Sequence, residues 1–189
     1  MIRKRNTNIV ITREQIINIW GEDNTYLIKN NNLEKLQLSS NTKEFVSIIG
    51  FPKQPSLWIN FEVENSFITL EKYLEKYNKP YIENSDKYYL IGHKGYTDDM
   101  YVCLKIKDET IWIIEETKQI DISDNFVNSS LQLLVEFLYF YEKYDSEIND
   151  PELKVETMKD KFLELDSKAL KNENSFWSII LEETEEGII

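Results

Sequence analysis

The amino-acid sequence predicts an α+β fold: a central, mostly antiparallel sheet flanked by N-terminal and C-terminal helices, in one domain over residues 1–189. Three observations carry this. Apolar residues recur at helical spacing in the first fifty positions, alternate with period two in stretches between Leu57 and Glu116 on either side of a helical piece at 68–77, and return to helical spacing after Ser129. The chain is longer than the commonest domain size but short of the size at which cores divide. With 41% hydrophobic residues, 13% aromatics, five Gly and four Pro, its composition is that of a folded protein rather than a linker.

Taken in order, "TREQIINIW" predicts a short helix capped by Thr12, with Ile16, Ile17 and Trp20 inward and Gly21 as the stop. "NLEKLQL" and "NTKEFVSIIGFP" predict two more, the second leaving its helix at Gly50 before Pro52. "LWINFEVE" sets Trp58, Asn60, Glu62 and Glu64 against Leu57, Ile59, Phe61 and Val63, a strand with one wet and one dry face. "ITLEKYLEKY" predicts a helix with Ile68, Tyr73 or Leu74, and Tyr77 on a common side. "KYYLIGH", "MYVCLKIK" and "TIWIIEE" are strands. The last two form an antiparallel hairpin across the short "DE" at 108 and 109, which lacks the glycine that the tightest turns prefer. In "NDPELKVETMKDKFLEL", Asp150 caps a helix with Pro151 first and Val155, Met158, Phe162 and Leu165 inward; "NSFWSIILEE" repeats the device with Phe176, Trp177, Ile180 and Leu181.

The formal net charge is −12, and three basic residues, Arg3, Lys4 and Arg5, crowd near the start, so the remaining body is more acidic still. Repulsion from phosphates argues against nucleic acid and anionic membranes as partners, while a basic protein would be drawn in by the field. Acidity that serves only solubility is the alternative. One cysteine, Cys103, permits no internal disulfide. No apolar run reaches a membrane span, and the polar-broken start has no signal-peptide core, so a cytoplasmic protein is expected.

"FVNSSLQLLVEFLYFY", residues 126–141, predicts a helix opened by a capping box from Ser129 to Gln132, with Asn128 just outside. Its polar residues are confined to Gln132, Glu136, Glu142 and Lys143, so it must be covered on more than one side, most simply by the sheet and the C-terminal helices. These residues, with the upstream "GFP", the "LIGH" strand, the hairpin "MYVCLKIKDETIWII" and the late "LELDSKAL…FWSIILEE", resemble the SUKH superfamily, in particular its fourth group of immunity proteins. The resemblance runs from about Phe45 to about Glu183. It implies a single α+β domain and a cytosolic protein that binds and neutralises a cognate toxin of a polymorphic toxin system, often a nuclease. Asn128 and Ser129 match the family's Asn-Ser, and Gly50 with Pro52 its Gly-Pro turn; neither pair is catalytic. The wider superfamily also implies an alternative, a regulatory scaffold acting through protein contacts.

Catalytic chemistry is thinly represented. His93 is the only histidine, at a strand end beside a glycine, where a surface or turn role competes with that of a general base. Cys103 lies mid-strand among apolar neighbours and reads as a small core residue. Asp98 and Asp99 are adjacent, hence point apart on an extended chain, and lack a third ligand for a metal. No phosphate loop, dinucleotide fingerprint, serine elbow or paired-cysteine pattern occurs, so no cofactor is expected and the protein is not read as an enzyme.

Surface chemistry remains. Trp58 with Glu62 and Glu64 on the wet strand face, and Asp98 with Asp99 in the nearby loop, are the candidate partner-binding residues. An aromatic anchor beside carboxylates suits an interface that meets the Lys and Arg of a nuclease site. The competing reading packs Trp58 under a helix and leaves the glutamates solvated. The tail "LEETEEGII" opposes its helix dipole with four glutamates, as either a hydrated end or a second acidic contact.

Overall fold

The structure, a computed structural model, describes residues 11–28, 33–55, 59–62, 66–95, 99–116 and 125–189. Helix α1 spans Arg13–Trp20 and opens with a complete capping box between Thr12 and Gln15. Strands β1 (Thr25–Tyr26) and β2 (Phe51–Pro52) form a small antiparallel sheet. Between them lies α2 (Ser40–Glu44), which runs on as one wide π turn over Phe45–Ile49. Gly50 ends that turn at φ +82°, and an added Cβ would lie 2.4 Å from the Tyr26 carbonyl oxygen. Only glycine allows β1 and β2 to meet there.

The main sheet is an antiparallel meander in chain order: β3 (Ile59–Phe61), β4 (Tyr88–Lys94), β5 (Met100–Lys105), β6 (Ile111–Glu115) and β7 (Phe126–Asn128). Helix α3 (Leu70–Lys76) precedes β4, and α4 (Leu131–Glu147), α5 (Pro151–Asp166) and α6 (Phe176–Glu185) follow β7. Ile59, Phe61, Tyr89, Ile91, Val102, Leu104, Ile111 and Ile113 bury one sheet face in the core that holds α4, α5 and α6. The opposite face presents Tyr88, Leu90, Tyr101, Cys103 and Ile114 to Leu70 and Leu74 of α3. The expected α+β architecture is thus the observed one, in a single domain with two unequal layers around the sheet.

The helix over 131–147 is covered on several sides. Phe137 stacks on Phe162 with ring centroids 4.1 Å apart, and Trp177 packs on both at 5.2 and 5.1 Å. On another side Trp20 of α1 meets Tyr139 edge to face. Such aromatic pairs add to the burial of their area, so α4, α5 and α6 lock through one ring cluster.

Several expectations are corrected. Residues 34–39 are turn and irregular backbone, so "NLEKLQL" does not continue as a helix past Leu33. The core side of α3 is Leu70 and Leu74, while Tyr77 is exposed, because α3 lies along the sheet on a different stripe from the one predicted. The β5–β6 turn takes in residues 106–110, and Glu109 adopts φ +59° where glycine was missing. Its carboxylate accepts hydrogen bonds from the Ser39 N–H and hydroxyl and, at 2.5 Å, from Thr42, which ties the hairpin to the start of α2 and offsets the backbone cost. Of the predicted 57–64 strand, Ile59–Phe61 is strand with the expected alternation; positions 57, 58, 63 and 64 lie outside the described residues.

Glu136, expected on a polar stripe, is only 1% exposed. It accepts hydrogen bonds from the Ile11 N–H (3.3 Å) and the Gln132 side chain (2.9 Å), and burial nevertheless pushes its carboxyl above the ordinary range. Glu142, six residues further along the same helix, is pushed up to about 7 by burial and then by Asp145. A carboxyl whose pKa rises on folding favours the protonated native state. Its contribution is therefore complete below about 4.5 and is lost as pH climbs through about 7. Glu142→Gln is expected to flatten that part of the urea-midpoint profile and to gain about 1 kcal/mol at pH 8, after discounting for solvent screening.

Candidate partner-binding face

A β-bulge decides what the α3 side of the sheet displays. Leu90 pairs with Cys103, but Gly92 pairs with Val102 and His93 with Tyr101, so one extra residue in β4 turns His93 onto the face of Leu90 and Tyr101. Gly92 is required at this point, because an added Cβ would sit 2.4 Å from the Asn60 carbonyl oxygen of β3. The register then sets Asn60, His93, Tyr101 and Ile114 in one row across four strands.

Around His93 the polar side chains converge. Its Nε2 lies 3.4 Å from the Tyr73 hydroxyl of α3 and 4.0 Å from Glu62 Oε2, a charge pair when the ring is protonated. The Tyr73 and Tyr101 rings flank it, each centroid 5.6 Å away. Tyr101 donates to Glu116 Oε1 at 2.5 Å, and burial together with that carboxylate pushes its phenol well above the ordinary range. Glu116 also meets Lys79 Nζ at 3.5 Å. Outward from this row, the Tyr77 ring packs on Tyr73 at 4.7 Å with the planes tilted by 45°, and is 45% exposed, and Tyr81, in the segment after α3, is 76% exposed. These are the two large exposed aromatics among the described residues.

Of the predicted partner-binding residues, Glu62 lies within this cluster. Asp99 is exposed at the head of β5, where its carbonyl accepts from the Glu116 N–H at 3.2 Å. Trp58, Glu64 and Asp98 lie outside the described residues. The tyrosines, Lys79 and Glu116 were missed because α3 and the ends of β5 and β6 meet only through the sheet register. The one available signal was "EKYLEKY", whose tyrosines four apart share a helix face.

The arrangement offers little to catalysis. Cys103 is fully buried, burial raises its thiol pKa, and its cross-strand partner is Leu90 rather than His93, so no dyad forms. Among the described residues no group of three His, Cys, Asp or Glu side chains is placed to hold a metal ion, and no helix is long and apolar enough to cross a membrane.

The other motif residues hold the frame. Ser130, not Ser129, caps α4, its hydroxyl accepting from the Leu133 N–H at 3.2 Å. Ser129 turns instead toward the end of α5, where its N–H and hydroxyl donate to the buried Asp166 carboxylate at 2.7 and 2.9 Å. Asn128 is buried and its Oδ1 accepts from the Trp177 indole at 3.0 Å. The Asn-Ser pair therefore joins β7 to α5 and α6. Asp166→Ala leaves the part-buried Ser129 N–H and hydroxyl without their acceptor and is expected to cost about 2 kcal/mol in urea denaturation, and Ser129→Ala about 1 kcal/mol.

The α+β domain thus combines buried structural motifs with a cluster of tyrosines and carboxylates on the α3 side of its sheet. The model of the SUKH-4 immunity protein family matches residues 11–183, and the chain belongs to that family. No curated protein and no solved structure matches it.

Proposed function

We propose that this chain is an immunity protein that neutralises a cognate toxin of a polymorphic toxin system by direct binding in the cytoplasm, with no turnover of its own. The toxin it fits is a basic, nuclease-type domain. Family membership supports immunity as such. The observation that carries the rest is the α3 face, where exposed Tyr77 packs on Tyr73 within the cluster of Glu62 and Glu116, with exposed Tyr81 in the segment after α3 and exposed Asp99 at the head of β5, on a chain of net charge −12. Tyrosines give rigid contact area at low entropy cost, and carboxylates match the cationic surface that a nuclease presents to its phosphates.

The test is co-expression with the C-terminal domain of a toxin-like protein encoded by the neighbouring reading frame. Rescue of growth together with co-purification is expected. The absence of both rescue and a complex would overturn the proposal and favour the regulatory scaffold of the wider superfamily.

A further inference from the structure

On the opposite edge of the sheet, a cavity of about 420 Å³ opens between strands β6 and β7 and the segment that leads into α6. Its apolar wall is Trp112 and Phe126, packed edge to face at 5.6 Å, and its other side is Lys168, Lys171, Asn172 and Ser175. The Trp112 indole N–H is already engaged by the Thr110 hydroxyl at 2.8 Å and Lys105 Nζ lies over the ring at 5.1 Å from its centroid, so what Trp112 offers the cavity is ring surface rather than a donor.

The charge of this cavity runs against that of the whole chain. Among the described residues none that lines it is acidic, although the protein carries 34 acidic and 22 basic residues. The neighbouring groove of about 510 Å³ between α5 and α6 has Glu173, Glu182 and Glu185 against a single basic residue, Lys159, among its described lining. Lys168 and Lys171 are exposed, and neither has an ion pair among the described residues. Ser175, at the start of the ten-residue α6, bonds Ser178 instead of capping the helix, and the first turn of α6 contains no acidic residue. Two ammonium groups and a helix start without a side-chain cap therefore face an aromatic hollow, with no carboxylate among the described lining residues.

We infer that this cavity binds a small aromatic anion of mononucleotide size, its ring against Trp112 and Phe126 and its phosphate between Lys168 and Lys171. The volume falls in the range of small-ligand sites. Two point charges three residues apart suit the several oxygens of a phosphate better than a single carboxylate. The net charge of −12 disfavours a nucleic-acid polymer, whose many phosphates would be repelled beyond the cavity, but one phosphate feels mainly the local field.

The test is calorimetric titration of the full chain with adenosine 5′-monophosphate, adenosine and inorganic phosphate in parallel. Saturable binding of the nucleotide is expected, with both fragments at least about tenfold weaker. Lys168→Glu combined with Lys171→Glu touches only exposed side chains and is expected to weaken nucleotide binding by about tenfold or more, with the circular dichroism spectrum unchanged. Trp112→Leu should lower affinity for the nucleotide and leave that for phosphate unaltered. Absence of saturable nucleotide binding at millimolar concentration, equal binding of adenosine, or indifference to the lysine reversals would each overturn the assignment.

Discussion

Gly92→Ala is expected to detach β3 from the sheet edge, cost about 2–4 kcal/mol of stability, and abolish partner binding even where the protein remains folded. The added Cβ would meet the Asn60 carbonyl oxygen at 2.4 Å and the Phe61 Cα at 3.1 Å. Both are backbone atoms that cannot rotate aside, so the β3–β4 spacing itself must widen. The yielding element is the short one. β3 has three residues and is held by its pairing with β4, by the Phe61 N–H to the Lys53 carbonyl, and by the Glu62 N–H to the Ile91 carbonyl. Amide hydrogen exchange should show protection lost at Phe61 and Glu62 and kept in β5 and β6, whose pairing does not involve Gly92. Because β3 carries Asn60 and Glu62, and the bulge at Gly92 aims His93, the same substitution disperses the acid and tyrosine cluster. Unchanged protection at Phe61 would remove this account of the bulge.

How far the sequence reveals such details depends on how local their causes are. The Thr12 cap, Asp150 with Pro151, and the period-two runs of β4, β5 and β6 are caps and patterns contained within one element, and all were legible. The Ser129 cap failed because Ser129 and Ser130 are chemically equal candidates. Asp166, 37 residues away, claims the first and leaves the second to cap. Glu136 failed in a related way. A glutamate on a helix reads as solvated until a distant segment, here Ile11, covers it and supplies an N–H. The His93 cluster is the clearest case. It depends on a one-residue bulge whose only trace in the sequence is a glycine, and a glycine inside a strand announces close approach without saying of what.

Reversing charge at Glu62 and Asp99 separates the two jobs given to the α3 face. Glu62→Lys with Asp99→Lys is expected to slow association with the toxin domain by about tenfold and to flatten its dependence on salt, because diffusional steering acts through the field before contact. Tyr77→Ala and Tyr81→Ala should leave the association rate nearly unchanged and speed dissociation, each by about 1–2 kcal/mol, since packed aromatics act only after contact. Stopped-flow measurements at two ionic strengths distinguish the classes. The control is charge reversal at Glu182 and Glu185, which lie on α6 and line the α5–α6 groove. If reversal there slows association as much as at Glu62 and Asp99, the net charge steers without choosing a face, and the tyrosines alone define the docking surface. If only the Glu62 and Asp99 variant is slow, the acidic groups are local to the interface, and the bulge at Gly92 exists to bring them beside the tyrosines.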